Sequence, residues 1–250
     1  MRYSRLFGKT IREDAKEENP SGNSLLYRAG FIRTAGHGLN SFLPIGHRVV
    51  QNIRGIIREE LETLGGQEIR VPFVTPYELF RKSGRSDFKD EELLRLKDRN
   101  GRDLVLSPSH LEAVVELVKE GITSCKDLPA FLYQFQMKYR DEERVHHSLL
   151  RAKEFLMCDA YSFHRTYADL NNFFPQMFAA YKRIFKRCGI DVMTAESAAG
   201  SLGGERAYEF LMPLDFGDDV VISCDKCGYR ANREVAMGIK GYPSGTPLPL

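Results

Sequence analysis

The chain has 250 residues, enough to bury a substantial core in one large domain or two small ones. A formal charge of +2 makes no demand for a nucleic-acid partner, and 42% hydrophobic with 28% charged residues is the balance of an ordinary globular protein. No apolar run reaches the length of a membrane span and the first residues, MRYSRLFGKTIRED, lack a secretory apolar segment, so a cytoplasmic protein with no membrane partner is expected. Residues 1–24, with the charged stretch REDAKEENPSGN, read as a flexible lead-in, 25–236 as the folded core, and 237–250, GYPSGTPLPL with its preceding residues, as a Pro/Gly-rich tail or linker.

Within the core, a glycine-dense segment precedes a helix carried by Val49, Val50, Ile53, Ile56, Ile57, Leu61 and Leu64 and stopped by Gly65-Gly66. A strand, QEIRVPFV, follows; Pro72 within it predicts an edge or an end rather than a central position. Leu93, Leu94 and Leu96 face Leu104, Val105 and Leu106 across Asn100-Gly101, a strong hairpin signal. A helix begins near Leu111, with Ser109 as the expected N-cap. A second long helical stripe runs from Tyr167 to Cys188 and is predicted to start or kink at Pro175. The segments YEFLMPL and DDVVISC read as a last strand pair. Helices mixed with antiparallel hairpins give an α+β fold, an antiparallel sheet flanked by helices.

The run from Phe131 to Phe163 carries the most chemistry. Its first half alternates with period two, so Phe131, Tyr133, Phe135, Met137 and Tyr139 share one face. Gln134, Gln136, Lys138, Arg140 and Glu142 share the other, which reads either as a ligand-facing floor or as an ordinary half-exposed strand. The return run, Arg151 to Phe163, is expected to pair antiparallel with it across a loop of about eight residues.

YRDE, Tyr139 to Glu142, resembles the second signature motif of class II aminoacyl-tRNA synthetases, and RAKEFLMCDAYSFH, Arg151 to His164, the strand after it. The likeness extends from about Met1 to Ala236 and is strongest to the bacterial prolyl type. It implies the class II catalytic fold and an ATP-dependent ligase that activates proline as prolyl-adenylate for transfer to tRNA. ATP and Mg²⁺ are the implied cofactors. Arg140 would hold the ATP α-phosphate as the catalytic cation, Glu142 and Arg151 would complete the ATP-binding set, and Ser109, Gln134 and Gln136 would serve the amino-acid pocket. The helix-strand element 46–72 resembles the first class II motif and implies a homodimer; proline, ATP and tRNA are the other implied partners.

The chain departs from that pattern at several positions. In the family's GPTHEE-like segment a glutamate recognises the amino acid; here Ser107-Pro108-Ser109-His110-Leu111-Glu112 puts Leu111 in its place. His146, beside His147, stands for an arginine, Cys158 for a lysine, and Glu205 and Tyr208 for a serine and a histidine. The editing insertion, the third motif and the anticodon-binding domain do not follow, so the isolated chain is expected to make little or no adenylate. The alternatives are a non-catalytic synthetase paralogue acting as a binding or regulatory module, and a fragment whose remainder supplies the missing parts. The five cysteines are too scattered for a disulfide framework. Cys224-x-x-Cys227 is a candidate half of a zinc site, set against a surface turn bearing two free thiols.

Overall fold

Apolar alternation over ten residues produces the central hairpin. Strand β7, Ala130–Tyr139, pairs antiparallel with β8, Glu154–Phe163, in a continuous register from Ala130↔Phe163 to Tyr139↔Glu154. The computed structural model describes residues 2–12, 22–85, 93–143, 145, 149–199, 204–214, 217 and 219–238. His146, His147, most of the glycine run 200–204 and most of the tail 237–250 lie outside these residues.

Helix α2, Pro44–Thr63, presents an apolar stripe and ends at Gly65-Gly66 as expected. Gly65 takes φ +80 and its N–H bonds the Glu62 carbonyl, while the Gly66 N–H bonds that of Leu61, a Schellman ending. The odd-numbered face of β7 packs on this helix: Leu61, Phe131 and Tyr133 form a buried cluster joined by Ile57, Phe135, Cys158, Phe173 and Met177. The last two come from α5, Tyr167–Arg187, which runs through Pro175 rather than starting there. Proline has no N–H, so that turn forgoes one helical hydrogen bond.

The expected strand 67–74 is two strands in two sheets. β3, Gln67–Glu68, lies parallel to β7, whereas β4, Val74–Pro76, pairs antiparallel with β6, Asp103–Leu106. Pro72 cannot donate to a ladder, and the chain changes sheets around it. β6 also pairs with β5, Arg95–Lys97, across the predicted Asn100-Gly101 turn. Helix α3, Tyr77–Lys82, follows β4 directly, and helix α4 spans Leu111–Gly121.

Ahead of α2 come α1, Gly22–Arg28, and a hairpin of β1, Ile32–Gly36, and β2, Leu39–Phe42. Part of the expected lead-in 1–24 makes contacts with this region. The Ile11 N–H bonds the Arg28 carbonyl at 2.9 Å, and Arg33 donates to the Lys9 carbonyl at 3.0 Å.

The chain divides into two compact units, Met1–Ile184 and Phe185–Leu250. The second holds a four-stranded sheet in the order β10-β9-β12-β11: β9, Met193–Ser197; β10, Ala207–Leu211; β11, Val221–Ser223; β12, Arg230–Asn232. The expected pair YEFLMPL with DDVVISC does not form. β10 pairs with β9 and β11 with β12, both antiparallel. β10 stops at Leu211, two residues short of Pro213, where a ladder would lose a donor.

Candidate active site

The even-numbered face of β7 is polar, as the alternation requires, but it is covered. Gln134, Gln136 and Lys138 are all buried. The two glutamines hold the backbone of one residue on both sides: Gln134 Oε1 accepts the Val71 N–H at 3.3 Å, and Gln136 Nε2 donates to the Val71 carbonyl. Side-chain amides thus replace the ladder that Pro72 interrupts. Gln134 also donates to Asp159 Oδ2 at 3.2 Å. The face expected as a ligand-facing floor is therefore occupied, over these three residues, by the chain's own groups.

Lys138 sits at the centre of that layer, wholly buried, with its ammonium on Asp159 Oδ2 and on His110 Nδ1. Tyr161 donates to the same carboxylate oxygen at 3.1 Å. Because an ammonium only donates, Nδ1 of His110 accepts and the ring proton belongs on Nε2. Burial, reinforced by the Lys138 charge, pushes the His110 pKa down to about 4, so the ring is neutral near pH 7. Burial likewise lowers the Lys138 pKa, opposed by the hydrogen bond to Asp159. Neither Lys138, Asp159 nor His110 stands out in the sequence as a joined group, because the register that brings them together is not local.

Arg140 is the first residue beyond β7, half-buried, on the same side as Lys138. Its Nε donates to the Pro108 carbonyl at 3.3 Å, and its guanidinium carbon stands 5.4 Å from the centroid of the Phe155 ring. Phe155 is the register partner of Lys138 and so projects from the same face. The neighbouring Tyr139 N–H bonds the Ser107 carbonyl at 3.2 Å. These two bonds draw the 107–109 segment against the end of β7 and bring Ser109 into the neighbourhood of Arg140. Ser109 stands one position before the N-cap, which is His110; its hydroxyl still accepts the Leu111 N–H at 3.4 Å.

Glu142 and Arg151 face one another across the connection between the strands, 3.4 Å apart. Beside them Lys153 Nζ meets Asp141 Oδ1 at 2.5 Å, which raises the Lys153 pKa. The connection runs from Arg140 to Lys153, longer than the eight residues expected, because the Lys153 N–H is taken by the Gly38 carbonyl instead of β7. Glu112, the carboxylate next to Leu111, is buried and held by Arg85 Nη1 at 2.7 Å and Ser83 Oγ at 3.2 Å.

The residues fit a nucleotide in outline: a guanidinium braced by a carbonyl and an aromatic face, with a second cation and a carboxylate nearby. For Mg²⁺ the fit is partial. Among the described residues no three His, Cys, Asp or Glu side chains stand together to hold a metal ion, so a divalent cation here would rely on phosphate oxygens and on Glu142. Cys224 and Cys227 are free thiols on a turn; backbone N–H groups of Cys227 and Lys226 at the Cys224 sulfur lower its pKa.

On the opposite face of the hairpin lies a cleft of about 270 Å³ bounded by Phe42, Ile53, Arg54, Phe135, Leu156 and Cys158. Arg140, Glu142, Arg151 and Ser109 do not line it. Phe42, Ile53 and Leu156 of its lining are exposed, as is Val49 on α2.

Residues 94–241 match the family described as the tRNA synthetase class II core domain (G, H, P, S and T). The chain is 45% identical over 236 residues to a proline–tRNA ligase of Wolinella succinogenes, covering 94% of this chain and 41% of that protein. To a proline–tRNA ligase of Heliobacterium modesticaldum it is 44% identical over 252 residues, 100% of this chain and 44% of the relative. The chain thus spans less than half the length of these curated relatives. A solved Giardia lamblia prolyl-tRNA synthetase in complex with prolyl-adenylate shares the fold, with a TM-score of 0.62 at 21% identity over 66% of this chain and 35% of that one. The α+β architecture and the match over more than half of the sequence agree: the chain belongs to the class II tRNA synthetase core family.

Proposed function

We propose that this chain is the ATP- and amino-acid-binding part of a prolyl-tRNA synthetase-type ligase, working as a homodimer in the cytoplasm. The observation that carries the reading is the placement of Arg140, fixed at the end of β7 between the Pro108 carbonyl and the Phe155 ring. In the reaction proposed, a carboxylate oxygen of proline attacks the α-phosphorus of ATP and pyrophosphate leaves; a tRNA hydroxyl then takes the prolyl group and AMP departs. Arg140 serves both phosphate oxygens of the α-group through its planar fork and offsets the charge that develops there. Glu142 and Arg151, already paired with each other, hold the nucleotide from the loop side. Mg²⁺ supplies charge neutralisation on the phosphates when bound. Ser109 contributes a hydroxyl to the amino-acid pocket, while Gln134 and Gln136 support its floor from below.

The exposed apolar residues of α2 with Phe42 and Leu156 provide the dimer surface, which buries them against a second copy. Calorimetry with ATP on the full chain tests the site. Replacing Arg140 by Ala removes a charge-assisted contact and is expected to weaken ATP by about tenfold or more. Unchanged affinity would overturn the assignment.

A second reading is favoured by a specific pair of residues. Leu111 offers no carboxylate, and Glu112 is committed to Arg85. A buried substrate ammonium without a counter-charge is strongly disfavoured. A chain that binds ATP but gives no proline-dependent pyrophosphate exchange would be a non-catalytic binding module built on the same core.

A further inference from the structure

Lys153 connects two parts of the fold that are far apart in sequence. Its carbonyl accepts the Arg140 N–H at 2.9 Å, and its own N–H donates to the Gly38 carbonyl, also at 2.9 Å. The Glu154 N–H reaches the same Gly38 oxygen at 3.4 Å. Gly38 is at the tip of the β1–β2 hairpin, in the two-residue turn His37-Gly38, and is buried there.

Two properties make the residue at this tip hard to replace. Its φ is +73, a conformation that favours glycine. A Cβ at this position would stand 2.9 Å from Lys153 Cγ, 3.0 Å from the Lys153 nitrogen and 3.0 Å from Val145 Cγ2. The tip therefore rests on both the outgoing and the returning limbs of the 140–153 connection. A chain of two hydrogen bonds, Gly38 to Lys153 to Arg140, sets the height of the Arg140 main chain above the sheet.

We propose that Gly38 is a positioning residue for Arg140: the β1–β2 hairpin tip clamps Lys153 and thereby fixes the base of the loop that carries the ATP-binding side chains. The mechanical part of this proposal stands on the geometry alone, and its consequence for ATP rests on the function proposed above. Positioning of this kind matters because a guanidinium displaced by about 1 Å loses much of its value to a transition state. The clamp also accounts for the early end of the β8 ladder, since the Lys153 N–H has left it for Gly38.

The test is hydrogen exchange on the full chain, comparing wild type with Gly38→Ala and Gly38→Asn. Asparagine tolerates positive φ better than alanine but still carries a Cβ, so it separates crowding from backbone strain. Gly101→Ala is the control: its φ is +77 and nothing lies within 4 Å of its Cβ position. Both Gly38 variants are expected to speed exchange of the Arg140 and Lys153 amides by about tenfold or more, with α2 amides unchanged. In the same variants ATP affinity falls and melting of the core is kept. Unaltered protection at Arg140 and Lys153 in both variants overturns the proposal, even where wild type binds ATP. Faster exchange in a protein that binds no ATP upholds the clamp and refutes the nucleotide reading instead.

Discussion

Lys138 and Asp159 form an ion pair inside the sheet layer, with the lysine wholly buried and the carboxylate 12% exposed. The pair is served from three sides, by His110, Gln134 and Tyr161. Such a layer is stable only while every member is present, since a charge stripped of its partner in the interior is costly.

Asp159→Asn is expected to destabilise the protein by about 3–5 kcal/mol, because Lys138 is left charged and buried. Lys138→Met alone should cost a similar amount. The double variant Lys138→Met, Asp159→Leu should recover part of that loss. Urea unfolding of the three variants measures this, and a double variant as unstable as the sum of the singles would contradict it.

Stability should depend on pH through His110. Its folded pKa, about 4, lies below the 6.5 of a free imidazole, so between those values the unfolded chain binds more protons. Stability is then full well above pH 6.5 and declines as pH falls toward 4, by an amount on the order of 3 kcal/mol at most. His110→Asn retains an acceptor for Lys138 without a titrating ring. Its unfolding free energy should lose this slope over pH 4–6.5; an identical slope in the variant would show that another group is responsible.

Leu111→Glu should restore a counter-charge for an amino-acid ammonium. Melting temperature measured with proline should rise more in the variant than in the wild-type chain, since a ligand stabilises only the state that binds it. A shift in wild type as large as in the variant would mean that another carboxylate already does the work.

Thiol reactivity should separate the cysteines. Burial pushes the Cys158 pKa up to about 12, while Cys125 and Cys227 are exposed. Alkylation at pH 8 followed by mass spectrometry should mark Cys125 and Cys227 well before Cys158, because the thiolate is the nucleophile. Early modification of Cys158 would show that the cleft beside it opens readily.

The elements with strong local signals were readable in advance: α2 and its glycine stop, the Asn100-Gly101 hairpin, α4, and the pairing of β7 with β8. Two departures are local, the start of α5 ahead of Pro175 and the N-cap at His110 rather than Ser109; the larger ones involve partners distant in sequence. Nothing near Pro72 announces that the chain changes sheets there, and β9 lacks the apolar alternation that would mark it as the partner of β10. For the site, period two correctly divided β7 into two faces. It could not say that Val71 and His110 cover the polar one, so the bonds of Gln134 and Gln136 to Val71 are not legible in the pattern. The pairing of Lys138, which lies on that face, with Asp159 is hidden for the same reason. Their union depends on a register, and Lys138 lies directly across from Phe155 rather than from Asp159.

The helix stop after α2 separates two demands that adjacent glycines usually blur. Around Gly65 there is empty space and an unusual backbone angle; at Gly66 the backbone is ordinary, but a methyl group would sit 2.8 Å from the Leu61 oxygen and 2.9 Å from the Phe131 ring. One position is a matter of torsion, the other of room. A residue scan should accept asparagine at the first and reject every side chain at the second.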